Sequence, residues 1–195
     1  MMTRLVFAIT TVVLMVAGPA RAADIDMPSL MRLFANNNSI RAEFIERKFV
    51  RILDVPVESK GELVFSAPGR LEKRTRVPKP EALVIDGNQV SIERGSSRRT
   101  LSLDEFPDMA SLVRSLTATF RGDQLSIEQF FTWKLSGPVN RWQLVLIPKS
   151  NKLFITLSEI RLAGDGGYVH TVETTLTDGD RSLMTLGRPL PQRRE

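Results

Sequence analysis

The sequence predicts a mainly β protein, a barrel or strongly curved antiparallel sheet with one apolar face and helical cover. Three observations lead there. Short segments between Ile40 and Leu186 alternate apolar and polar residues, the signature of half-buried strands. Turn chemistry separates them: Ala67-Pro68-Gly69, Pro78 with Pro80, Asp86-Gly87-Asn88, Gly137-Pro138, Asp165-Gly166-Gly167 and Asp178-Gly179-Asp180. Two stretches switch to helical spacing, one ahead of the first strand and one in mid-chain.

Taken in order, Arg4 precedes an apolar run, Leu5 to Val16, that is too short to span a bilayer. Gly18-Pro19 and the small-x-small triplet Ala20-Arg21-Ala22 follow, so residues 1–22 read as a secretory signal peptide cut after Ala22. Residues 23–195 are then expected to form one exported domain of about 170 residues, enough for a real core. Asp24 to Asn37 predicts a short amphipathic helix, capped by Asp26, with Pro28 in its first turn and Leu30, Leu33 and Phe34 on one face. Ile40 to Leu53 predicts a long strand with Ile40, Ala42 and Phe44 together; Glu46 and Lys48 blur the alternation beyond them. Gly61 to Ile92 predicts three more strands, the first placing Leu63 and Phe65 on one face.

Glu93 to Arg99 reads as a polar turn, and Thr100 to Leu103 as a strand. From Asp104 to Phe120 the period becomes helical, through Phe106, Met109, Leu112, Val113, Leu116 and Phe120; a core helix packed on the sheet accounts for that stripe. A second short helix is expected over Leu125 to Gln129. The remainder is strand-like: Phe130 to Leu135, then Trp142, Leu144 and Leu146 on one face, Leu153 to Leu162 with Leu153, Ile155 and Leu157 together, Tyr168 to Thr177, and Ser182 to Leu186.

The residues that catalysis needs are scarce. There is no cysteine and one histidine, His170, so neither thiol chemistry nor a multi-histidine metal centre has its ligands. His170 lies mid-strand with Tyr168 and Val172, a structural setting, and the acidic pairs at Asp86 and at Asp178 with Asp180 are turn formers. No phosphate loop or nucleophile elbow is present. A non-enzymatic protein without metal or cofactor is expected. The formal charge of +5 becomes +3 without Arg4 and Arg21. Its cationic clusters suit solvated strand faces or, secondarily, anionic membrane surfaces and acidic partners; export argues against nucleic acid. A covered apolar sheet can be filled solid or can enclose a ligand, and composition does not distinguish the two.

Phe44-Ile-Glu-Arg-Lys48, Gly61-Glu-Leu-Val-Phe65, Pro68, Pro78 and Leu83-Val-Ile-Asp86-Gly87 resemble, in that order, the LolA family of periplasmic lipoprotein carriers. Trp142-Gln-Leu-Val-Leu-Ile-Pro148-Lys149 and the hairpin entered through Gly166-Gly167-Tyr168 are similar to its second half. The resemblance implies an incomplete β-barrel closed by helices, holding acyl chains in an apolar interior between an inner-membrane exporter and an outer-membrane acceptor. It implies a monomer. By analogy, Phe44, Leu63, Phe65, Leu71, Leu83, Ile85, Trp142, Leu144 and Ile155 line the wall, and Met109, Leu112, Leu116 and Phe120 form the lid. Three departures set this chain apart: Ala67 where the carriers commonly have arginine, Lys73 at a tryptophan position, and an end soon after the final hairpin. They point to a divergent paralogue for a smaller or anionic amphiphile or lipidated molecule, with Lys73 or Arg74 near its head group. The alternative is an interaction or assembly module of the same fold without lipid cargo.

Overall fold

The computed structural model describes residues 23–105, 113, 117–149 and 157–190. Its frame is an 11-stranded antiparallel sheet. In chain order the elements are α1 (Met27–Ala35), β1 (Ser39–Phe49), β2 (Val57–Ser66), β3 (Arg70–Val77), β4 (Glu81–Asp86), β5 (Gln89–Arg94) and β6 (Ser97–Ser102). The 3₁₀ turn Leu103–Glu105 and helix α2, seen at 113 and 117–121, come next. The chain continues through α3 (Gln124–Phe130), β7 (Phe131–Ser136), β8 (Trp142–Pro148), β9 (Leu157–Asp165), β10 (Tyr168–Leu176) and β11 (Arg181–Leu186).

The strands lie in the order β6-β5-β4-β3-β2-β1-β11-β10-β9-β8-β7. Two meanders are thus joined where the first strand pairs with the last, from Phe44 opposite Leu186 to Phe49 opposite Arg181. β6 and β7 are the two edges and do not pair with each other among the described residues. The expected curved, mainly β fold with covering helices is what the chain adopts: the sheet is not closed, and helices pack on it.

The cover sorts the core into three clusters. The largest places Met27, Leu30, Met31 and Phe34 of α1, Ala118 of α2 and Ile127 of α3 against Trp142, Leu144 and Leu146 of β8 and Ile160 and Leu162 of β9. Phe34 meets Trp142 edge-on, with ring centroids 5.5 Å apart. A second cluster packs Val113 of α2 with Ile85, Val90 and Leu103, and Leu71 and Leu83 flank it. The third joins Ala42, Phe44 and Leu186 at the β1–β11 seam, with Leu63 beside them. α2 therefore spans the concave face, touching the first cluster at one point and the second at another.

Backbone detail fixes these layers. Asp26 caps α1 by accepting from the Ser29 amide at 2.7 Å, and Asp123 caps α3 through the Ser126 amide at 3.1 Å. Gly122 ends α2 at φ +69°, where a Cβ would lie 2.1 Å from the Met31 carbonyl oxygen, so only glycine lets α2 abut α1 this closely. Gly164 similarly leaves room for the Trp142 ring, which a Cβ would meet at 2.6 Å.

Some element details differ from expectation. The buried stripe of α1 is Met27, Leu30, Met31 and Phe34, while Leu33 is half-exposed, because α1 is rotated toward β8 and β9. β1 stops at Phe49, since residues 51–54 turn, and the polar turn expected over Glu93–Arg99 is tighter: Arg94 pairs with Ser97, so Ser97, Arg98 and Arg99 belong to β6. β9 is described from Leu157; Leu153 and Ile155 lie outside the described residues, as do Phe106, Met109, Leu112 and Leu116 and the whole of residues 1–22.

Candidate functional site

Along β1, side chains alternate across the sheet, and Ala42, Phe44 and Glu46 all point to the concave side and are buried. The neighbouring strands supply their surroundings by register. Ala42 lies opposite Leu63, Phe44 opposite Gly61 and Leu186, and Leu63 opposite Lys73. The result is a graded inner surface, apolar at one end and polar at the other.

At the apolar end, a slot of about 20 Å³ lies between sheet and helices. Ile40, Ala42, Leu63, Phe65 and Leu186 form its floor, Phe34 and Phe120 its cover, and Tyr168 and Val169 one side. Phe65 and Phe120 stack at 5.5 Å between centroids and 30° between planes, so α2 is pinned to β2 by two rings. Such a slot has room for about one water, against roughly 300 Å³ or more in ligand pockets. The Phe65–Phe120 stack is the contact that closes the slot on its helical side.

Four residues further along β1, about 13 Å away at strand rise, the concave face turns polar. Glu46 is 5% exposed. It accepts from the Lys73 ammonium, from Ser182 Oγ at 2.6 Å and from Ser59 Oγ at 3.2 Å. Lys73 Nζ also stands 5.1 Å from the Phe44 ring centroid, within cation–π range. Burial pushes the Glu46 carboxyl up, but the bonds from Lys73 and Ser182 outweigh it and hold the pKa below the ordinary value of 4.5. Phe44 thus separates the slot from a satisfied, buried ion pair.

The other sequence-selected residues fall in distinct places. Leu63 and Phe65 line the slot; Phe44 lies beneath it at the seam. Leu71, Leu83 and Ile85 gather under Val113 in the second cluster. Trp142 and Leu144 are 1% and 0% exposed in the solid core beneath α1, apart from the slot. Arg74 stands on the opposite face of β3 from Lys73, paired with Glu72 at 2.5 Å and 60% exposed. Of the lid residues, Phe120 covers the slot; Met109, Leu112 and Leu116, like the wall residue Ile155, lie outside the described residues. Glu46 is the residue that the sequence reading did not single out. Its place two residues beyond Phe44 was the available signal, overridden by its charge.

His170 sits at a register shift in β10, 40% exposed, with Nε2 2.9 Å from Asp165 Oδ2. Among the described residues, no three His, Asp or Glu side chains stand together as a metal-binding group.

An unclosed antiparallel half-barrel with a helix laid across an apolar concave face defines the class of protein. Comparison with known families gives the rest: residues 17–188 match the family described as outer membrane lipoprotein carrier protein LolA-like. The chain belongs to this LolA-like family, as a divergent member. No curated protein matches it. Solved structures similar to it include a LolA superfamily protein from Nitrosomonas europaea, at 10% identity and TM-score 0.45, covering 88% of this chain and 96% of that one. Lipoprotein LppX of Mycobacterium tuberculosis is similar at 11% identity and TM-score 0.44, over 86% and 97% of the two chains. The MucA/MucB complex of Pseudomonas aeruginosa matches at 13% identity and TM-score 0.46, over 86% of this chain and 59% of that one. At these scores the structural likenesses carry no argument about cargo.

Proposed function

We propose that the protein is a periplasmic carrier that binds the acyl chain of a lipid or lipidated molecule under α2 and moves it between the inner and outer membranes. In this reading residues 1–22 direct export and are removed after Ala22. A monomer receives its cargo from an inner-membrane exporter and yields it to an outer-membrane acceptor. The observation that carries the proposal is the slot bounded by Ala42, Leu63 and Phe65 and roofed by Phe120. It is apolar and closed by the half-buried ring of Phe120 on α2, so the cover can part without dismantling the sheet. Each CH₂ then transferred from water contributes about 0.8 kcal/mol, which a dozen methylenes raise well above the cost of unstacking one ring pair, about 1 kcal/mol. In this reading the head group lies beyond Phe44, against the water-exposed fifth of the Lys73 side chain, while Lys73 stays paired with Glu46.

A fluorescent fatty acid tests this directly. Ala42→Met fills the slot with apolar volume and is expected to weaken probe binding about tenfold (1.4 kcal/mol), whereas Arg98→Ala, on the exposed β6 edge, leaves it unchanged. Equal binding by the wild type and a folded Ala42→Met variant would remove the slot as the cargo site.

A further inference from the structure

The end of the sheet opposite the slot carries a feature that acyl-chain binding does not use. Between β1 and β2 the chain projects Ile52, Leu53 and Val55 into solvent, Ile52 being 90% and Val55 72% exposed. Val57, at the start of β2, and Val77, at the end of the neighbouring β3, extend the same apolar end. Single exposed aliphatic residues are ordinary on a protein surface, but five concentrated at one tip are not. The loop's base is fastened: the Arg51 amide donates to Asp180 Oδ1 and its guanidinium to the Asp178 carbonyl oxygen, both at 3.0 Å. Leu53 closes a turn by donating its amide to the Val50 carbonyl oxygen at 2.9 Å. The aliphatic tip is therefore held out from the sheet rather than folded onto it.

Charge surrounds the tip. Residues 47–60 and 76–80 hold six cations, Arg47, Lys48, Arg51, Lys60, Arg76 and Lys79, against the two carboxylates of Asp54 and Glu58. Arg47 and Lys60 pair with Glu58, and Arg76 with Glu43, but neither Lys48 nor Lys79 makes an ion pair among the described residues. Asp178 and Asp180 lie on the far side, where Arg51 engages them.

We propose that the β1–β2 loop is a membrane-docking tip: Ile52, Leu53 and Val55 enter the headgroup–acyl boundary of an anionic bilayer while Lys48 and Lys79 meet lipid phosphates. An aliphatic tip with a cationic rim suits that boundary, where buried apolar area and electrostatic attraction act together. This docking is independent of cargo, because the tip and the slot occupy opposite ends of the concave face.

The test is vesicle flotation of the purified protein with phosphatidylcholine alone and with phosphatidylcholine containing phosphatidylglycerol, every variant carrying the same N-terminus. The wild type is expected to float with the anionic vesicles and to be released by salt. Ile52→Asp with Val55→Asp should weaken partitioning about tenfold or more. Val139→Asp, at an exposed apolar residue near the slot end, should not change it. Lys48→Glu with Lys79→Glu should abolish the preference for phosphatidylglycerol. Failure of the wild type to bind anionic vesicles, or equal binding by the Ile52/Val55 variant, overturns the proposal. So does crosslinking of residue 52 to a protein partner without any vesicle binding.

Discussion

At the residue scale the decisive group is Glu46, an acid on the buried face of a strand. Alternation along β1 put position 46 on the same side as Ala42 and Phe44, so its direction was legible in the sequence. Its partners were not, because Lys73 and Ser182 come from strands 27 and 136 residues away. Removing one partner strands a buried carboxylate. Lys73→Met is expected to cost about 2–3 kcal/mol, below the full range for a buried pair because Lys73 keeps 20% of its side chain in water. Glu46→Leu combined with Lys73→Met should recover most of that loss in denaturant unfolding; additive losses would contradict a coupled pair. The same site sets a pH dependence. Its folded-state pKa is depressed, so the contribution is complete above the ordinary value of 4.5 and is lost as pH falls through the lower, folded value. Acid titration of stability should therefore be flatter in Glu46→Gln than in the wild type.

Elements were more legible than the partners they cover. Proline and glycine turns marked nearly every strand, and the helical period marked α1. Which cover each strand face receives is a long-range fact, and local pattern says nothing about it. Trp142, Leu144 and Leu63 all sit on inward faces; the first two fill a solid core under α1 and only Leu63 lines the slot. The stripe of α1 likewise includes Met31 rather than Leu33, because contact with β8 and β9 decides which side of a broad apolar arc is buried. A mechanical contrast between the two covers follows. Leu30→Ala, at a site with no exposure, should cost about 2–5 kcal/mol. Phe120→Ala removes a half-buried ring from the slot's roof and should cost less while making uptake of an acyl probe faster. Slower uptake by a folded Phe120→Ala variant would show that α2 is not the cover that moves.

For the whole molecule, the pairing of β1 with β11 joins the two meanders and leaves β6 and β7 as the sheet's edges among the described residues, so the sheet curves without closing. That opening gives a cover helix a face to span. Sequence pattern indicated the curved sheet and its apolar side, and the LolA resemblance indicated the unclosed form. Neither revealed the grading of the inner surface from apolar slot, past Phe44, to the Glu46–Lys73 pair, because that order depends on cross-strand register. With the β1–β2 tip at the far end, the concave face has a direction: apolar cover at one end, cationic apolar tip at the other. The central claim is that this surface carries an acyl chain through the periplasm. Native mass spectrometry of the protein isolated gently from the periplasm, followed by lipid extraction, tests it most directly. The account predicts a bound acyl-chain amphiphile, present in the wild type and depleted in Ala42→Met. Repeated recovery of wild-type protein without any bound amphiphile, together with no uptake of added fatty acid, would contradict it.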